Sequence, residues 1–308
     1  MTKRERIEAA LTGRELDRVP FGMWMHTTVH EKTPKAFAGF MVDLYEKYDP
    51  DFVKVMYDWN YDTPVNFQFI TTPEVWNLLE EFDPHIGAFG RQLQALKVIR
   101  EKVGPDVPII QTVLSPFHWA NRLAYRRVLE DWKTHPDAVQ HGLETIGKNY
   151  VAFAKACMQE TDIDGFFFGA WGCEPDWMGP GQYEEMVMPS DKLVLEELRK
   201  ASILILHIHG EEESYFDLLK DYPCDAISWE DRLAGPSIKE AKTKTDKCLI
   251  GGINHIAAVE ASKESVLEEA QEAIQASEGT KFILGPGCTF LNETPPENIM
   301  ALKNAVKK

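Results

Sequence analysis

The sequence predicts an α/β fold, a single (β/α)8 TIM barrel, on three observations. Eight short apolar runs are spread along the 308 residues, and helical patterns lie between most of them. That alternation implies parallel strands joined by crossover helices. The length is ordinary for one such barrel and long for one sandwich. An open doubly wound sheet is the competing architecture, but no GxGxxG follows any of the runs, which removes its usual cofactor argument.

Taken in order, the runs are 19–24 (VPFGMW), 52–57 (FVKVMY), 107–114 (VPIIQTVL) and 165–171 (GFFFGAW), then 203–209 (ILILHIH), 226–229 (AISW), 249–253 (LIGGI) and 282–285 (FILG). Runs rich in Val, Ile, Leu and Phe without strict alternation suit strands buried on both faces. Segments 137–161 and 180–200 carry apolar residues near 3.6 spacing and read as crossover helices. Residues 58–104 are too many for one simple loop. They read as extra helices inserted between the second and third strands, near the barrel mouth. Pro295-Pro-Glu-Asn-Ile starts the last helix, with proline near its first turn. No linker, charge block or internal repeat divides the chain, so residues 1–308 are expected to form one catalytic domain.

Hydrophobic residues make up 44% and charged residues 27%, the balance of a globular protein. A net charge of −16 argues against nucleic acid or an anionic membrane surface as a partner. The five cysteines, at 157, 173, 224, 248 and 288, form no CxxC pair and no disulfide framework. The first twenty residues read as a charged amphipathic helix and not a signal peptide, and no apolar run reaches transmembrane length. The expected location is the cytoplasm.

In such barrels the working residues lie at the C-terminal ends of the strands. His26, Asp58, Ser115 and His118 follow the first three runs, and Cys173 and Glu174 the fourth. His207 and His209 close the fifth, Glu230 and Asp231 follow the sixth, Asn254 and His255 the seventh, and Cys288 the eighth. His207, His209, Glu230 and Cys288 stand out as a set. Two imidazoles, a carboxylate and a thiolate match the donors zinc prefers, and the two anions would neutralise Zn²⁺ in a buried site. The same residues can instead be two hydrogen-bonded core histidines and a small buried thiol, and HxH alone does not choose between these readings. Gly285-Pro-Gly287 is either a plain tight turn or a backbone cradle for an anion. His26, His30, Asp58, Trp171 and His255 are candidates to line the mouth, with Trp24, Trp59, Trp119 and Trp177 as further aromatic walls. Arg122 and Arg232 are the arginines nearest the expected mouth.

The succession RVPFGMW, VLSPFHWANRL, DGFFFGAW, LHIHGE, DAISWED, GGIN and ILGPGCTFLNETPPENI resembles the uroporphyrinogen decarboxylase superfamily over nearly the whole chain. That resemblance implies a (β/α)8 fold and two branches of function. Porphyrinogen decarboxylases carry an arginine-rich signature after the first strand, whereas residues 26–34 here (HTTVHEKTP) contain no arginine. They also carry a histidine in the turn where this chain has Cys288. The other branch, zinc-dependent methyltransferases working with corrinoid proteins, has HxC on the fifth strand and a cysteine after the eighth. His207 and Cys288 match that pattern, and His209 replaces its first cysteine. A distant relative, cobalamin-independent methionine synthase, implies a glutamate ligand near Glu230.

The resemblance therefore implies a zinc-dependent methyltransferase that moves a methyl group between a small O-, N- or S-methyl compound and a corrinoid protein. The chain contains no DxHxxG sequence for cobalamin, so the corrinoid is expected on a partner. The superfamily also implies a homodimer. A uroporphyrinogen decarboxylase-like lyase is the alternative enzyme, and a barrel that binds a tetrapyrrole or metal without turnover is the non-catalytic one.

Overall fold

The computed structural model describes residues 1–29 and 33–307. Seven parallel strands form one curled sheet in consecutive order. They are β1 (Val53–Val55), β2 (Ile109–Leu114), β3 (Gly165–Ala170), β4 (Ile203–Ile208), β5 (Ala226–Trp229), β6 (Cys248–Ile253) and β7 (Phe282–Pro286). These are the second to eighth apolar runs. Nearly every strand residue is buried, as continuous apolar runs require when helices cover the outer face. The register is regular: Gly169 pairs with His207 and His207 with Ser228, so the strand ends that carry polar residues come level.

The first run does not become an eighth strand. It makes two isolated bridges, Phe21 to Leu284 and Met25 to Phe290. Pro20 has no N–H for a further rung and Gly22 no side chain to pack, which explains the broken ladder. The stretch nevertheless touches both ends of the sheet. The Gly22 N–H donates to the Leu284 carbonyl of β7, and the Asp51 N–H, just ahead of β1, donates to the Phe21 carbonyl.

The expected insertion is also redistributed. Between β1 and β2 lie one short 3-10 helix (Pro73–Leu78) and one crossover helix (Gly87–Val103), with prolines 64 and 73 interrupting what precedes them. The additional helices fall between β2 and β3 instead: Pro116–Ala124, Val128–Thr134 and Pro136–Glu160. Ser115 caps the first of these by accepting the Phe117 N–H at 3.2 Å, with Pro116 at its first position. Among the described residues, no helix is long and apolar enough to cross a membrane.

Candidate metal centre

Because all strands run the same way, their C-terminal ends gather on one side, around a cavity of about 640 Å³. Its wall takes Trp24, His26, Asp58, Trp59, Trp119, Trp171, His207, His209, His255 and Cys288 from the sequence candidates. Three potential ligands converge beside it, of which His207 and Cys288 line it. One ligand atom each from His207, Glu230 and Cys288 lies within 4.8 Å of the other two. His207 is the fifth residue of β4, Glu230 directly follows β5, and Cys288 sits two residues beyond β7. Gly287 makes that approach achievable. A Cβ there would stand 3.1 Å from the Glu230 Cα, so a bulkier residue would push the Cys288 turn away. The Gly287 N–H is already used by the Ile253 carbonyl at 2.9 Å, so this amide is not a free anion donor.

Two of the three groups are underused by the protein itself, while the Cys288 thiol lies 4.0 Å from the Thr289 hydroxyl. His207 has its Nδ1 3.2 Å from the Ser228 hydroxyl and its ring stacked on Phe167, while its buried Nε2 has no hydrogen-bond partner. Both oxygens of Glu230, 1% exposed, are likewise without a partner. Orphaned buried acceptors are costly, and several of them converging is what a cation site presents. Burial raises the Glu230 carboxyl to about 7 and the Cys288 thiol to about 11, and holds the His207 imidazole well below its usual range. The residues fit a zinc ion: one nitrogen, one oxygen and one sulfur donor, with two potential anions.

His209 does not enter this trio. Its strand ends at Ile208, and its ring stacks on Trp171 at 4.0 Å between centroids, at 86° to the His207 ring. Its buried Nδ1 is 3.9 Å from Glu174 and makes no hydrogen bond. Side chains at i and i+2 point the same way only along a regular strand, and here the stacking partner takes over where the strand stops.

The remaining candidates divide clearly. At the mouth, His26 places Nδ1 2.6 Å from Asp58, whose other oxygen accepts the Thr27 N–H at 2.7 Å. His255 is buried at the wall with an unpartnered Nδ1, and burial lowers its imidazole to about 4. His118 packs edge-on against Trp171 and lines the cavity. Arg122 reaches the cavity, whereas Arg232 is spent on the Gly252 and Glu269 carbonyls and a rim pair with Glu272. Asn254 caps a turn at Ile256 and Ala257, Asp231 accepts the Gly252 N–H, and Cys173 points at backbone carbonyls. Trp177 packs on Phe117 and Arg126, outside the cavity. His30 lies outside the described residues.

Sequence reasoning missed Lys54. It sits mid-strand in β1, buried, and lines the cavity. Its ammonium lies 3.0 Å from the Met56 sulfur, 4.3 Å from the centre of the Phe167 ring and 5.5 Å from that of Trp24. Burial lowers it to about 8. The signal was a lone lysine inside the apolar run 52–57.

Residues 53–308 match the model of the uroporphyrinogen decarboxylase (URO-D) family. The chain belongs to the uroporphyrinogen decarboxylase family. Within it, curated relatives include a methylcobamide:CoM methyltransferase (MtaA) of Methanosarcina barkeri, 29% identical over 213 residues, 68% of this chain and 61% of that protein. A second, MtbA of Methanosarcina acetivorans, is 24% identical over 74% of this chain and 66% of its own length. A uroporphyrinogen decarboxylase of Carboxydothermus hydrogenoformans is 25% identical over 70% of this chain and 62% of that protein. The matched region thus spans about three fifths to two thirds of these relatives. Among solved structures, a methyltransferase from Methanosarcina mazei superposes with a TM-score of 0.83 at 22% identity, covering 99% of this family member and 98% of that chain. That likeness is one of fold, and the curled sheet of seven parallel strands is consistent with a TIM-like barrel.

Proposed function

We propose that the chain is a zinc-dependent methyltransferase that exchanges a methyl group between a small O-, N- or S-methyl compound and a separate corrinoid protein. The observation that carries this reading is the convergence of His207, Glu230 and Cys288, with the buried His207 Nε2 and both Glu230 oxygens left without hydrogen-bond partners. The relatives named methylcobamide:CoM methyltransferases support the methyl chemistry.

His207, Glu230 and Cys288 would hold the ion, and three protein ligands are the usual complement of a catalytic zinc. When bound, zinc would supply Lewis acidity toward the heteroatom that gives or receives the methyl group. The chain's own residues would do the rest. Ser228 fixes the tilt of the His207 ring through Nδ1. His209, held flat against Trp171 with an Nδ1 that makes no hydrogen bond, would stand beside the trio as a substrate contact. Trp24, Trp59, Trp119 and Trp171 give the cavity large aromatic walls, suited to exclude water around a small ligand. His26 and Asp58 mark the rim where the corrinoid protein would dock, His26 being 61% exposed there. His255 would contact substrate from the wall.

A porphyrinogen decarboxylase must neutralise several substrate carboxylates, yet Arg122 is the one arginine among the cavity's described lining residues. That shortage weighs against the decarboxylase alternative.

The test is metal content followed by transfer. Protein purified without added metal should carry close to one zinc per chain by mass spectrometry. His207→Ala and Cys288→Ala should each lose most of it, along with demethylation of methylcobalamin followed by its visible spectrum. A wild-type protein free of metal that still transferred methyl groups would sink this reading.

A further inference from the structure

We infer that His26 is a general acid–base residue, oriented by Asp58, which passes the proton of the methyl exchange between the reacting heteroatom and solvent. The inference rests on the methyltransferase reading for the reaction served, and on the geometry of the cavity mouth for the residue that serves it.

Methyl exchange has a proton to place. When a donor R–X–CH₃ gives its methyl group to a Co(I) corrinoid, the C–X bond breaks with its electron pair left on X. The cobalt lone pair makes the Co–C bond, cobalt passing formally to Co(III), and X takes up one proton to leave as R–XH. In the reverse direction R–XH surrenders that proton. An anion left on X inside an aromatic-walled cavity is costly, so a placed proton donor helps at the step that breaks the bond.

Five imidazoles line the described wall: His26, His118, His207, His209 and His255. Of these, His26 alone has a carboxylate within hydrogen-bond distance of a ring nitrogen, Asp58 Oδ1 lying 2.6 Å from its Nδ1. The Asp58 side chain is 9% exposed and its other oxygen accepts the Thr27 N–H at 2.7 Å, so the carboxylate is fixed from two sides. An ionised carboxylate only accepts. Neutral His26 must therefore carry its proton on Nδ1 and leave Nε2 as the base, the way a carboxylate sets the tautomer of a working imidazole. The ring is 61% exposed at the mouth, where it can trade the Nε2 proton with water. The rivals are held otherwise. His207 belongs to the trio and His209 is stacked on Trp171. Burial lowers His118 to about 3 and His255 to about 4, too acidic to hold a proton near neutrality. Dyad and trio share the cavity: burial lowers the Lys54 ammonium, while Cys288 and Asp58 both act to raise it. Around His26 the other charged groups of the described wall are Lys54, Arg122 and Glu293.

The probe reaction is methyl transfer from methylcobalamin to 2-mercaptoethanol, followed through the visible spectrum of the corrinoid. His26 must take a proton in this direction, so the wild-type rate should rise with pH through the titration of one group. His26→Ala should lose that limb and about 100-fold in rate. Added imidazole should restore part of the rate, because the vacated place is open to solvent. Asp58→Asn should keep the limb but move it to lower pH, since the carboxylate favours the protonated ring. Nitrogen NMR of the imidazoles, with His26 assigned by the signal missing from His26→Ala, should place the proton of the neutral ring on Nδ1. A His26→Ala rate within about twofold of wild type would overturn the proposal. So would a slow variant that keeps the pH limb and that imidazole cannot rescue, the mark of a merely structural role. A neutral His26 protonated on Nε2 would also overturn it, and that is read on wild type whether or not methyl transfer occurs. A wild type that transfers no methyl group yet shows the Nδ1 tautomer would defeat the methyltransferase reading while the dyad stood.

Discussion

Glu230 and Cys288 are the residues whose chemistry a metal would change most. Burial raises the carboxyl to about 7 and the thiol to about 11, so at pH 7 the thiol keeps its proton and the carboxyl keeps half of its own. A dication binding to both must expel those protons. Zinc binding at pH 7 should release between roughly one and two protons, falling toward one near pH 8.5 as Glu230 ionises unaided. Calorimetry in buffers of different ionisation enthalpy measures this number directly. A release near zero at pH 7 would mean that the metal binds elsewhere. Cys288→Ala should remove about one proton from the count, Glu230→Gln about half of one.

The end of β2 shows how one element sets the position of others. Ser115 caps helix Pro116–Ala124, which carries His118, Trp119 and Arg122 into the cavity wall, and its hydroxyl donates to Asp191 at 2.7 Å. The Tyr183 and Tyr222 hydroxyls donate to the other oxygen of Asp191, at 2.9 and 3.3 Å. Burial nevertheless raises this carboxyl to about 7 from 3.8, so the folded state binds its proton more tightly than the unfolded state. Its stabilising contribution is therefore complete below about pH 4 and is lost as the pH rises through 7. Urea unfolding of wild type and Asp191→Asn at pH 5 and pH 8 should show the wild type losing about 2–3 kcal/mol relative to the variant. A difference that did not move with pH would leave Asp191 ionised in both states. This network also marks where sequence reading stops. The apolar runs of β1 to β7 were legible because burial on both faces leaves an uninterrupted signature, and strand-end position combined with donor chemistry put His207, Glu230 and Cys288 in one set with His209. Side-chain direction past a strand end was not legible, and that is why His209 turned to Trp171. Nor was the fate of residues 19–24, whose proline and glycine break the ladder, or of 58–104, where helical patterning was weaker than the prolines within it. Lys54 was visible only as an anomaly in a run that otherwise read as core.

The whole molecule depends on joining the two ends of a seven-stranded sheet through a segment that is not itself a strand. Its backbone makes few rungs, so side chains must supply the join, and Asp51 is where they meet. This fully buried carboxylate accepts hydrogen bonds from Arg6 at 2.7 Å, from both terminal nitrogens of Arg18 at 2.8 Å, and from the Phe21 N–H at 2.8 Å. Helix Lys3–Thr12, the loop after it, the closing segment and the start of β1 thus share one charge. Removing one partner of a buried charge network leaves the others uncompensated, at about 3–5 kcal/mol. Asp51→Ala should cost that much in urea unfolding. Asp17→Ala, which removes an Arg6 partner that is 40% exposed, should cost about 1 kcal/mol or less. The consequence should reach the cavity, because the closing segment continues into Trp24, His26 and Thr27 of its wall. Near 10 °C, where even a weakened fold persists, Asp51→Ala should bind zinc through the trio yet show altered tryptophan fluorescence from Trp24. Equal costs for the two substitutions would mean that the sheet is held together by its core alone, and that the closing segment is a passenger.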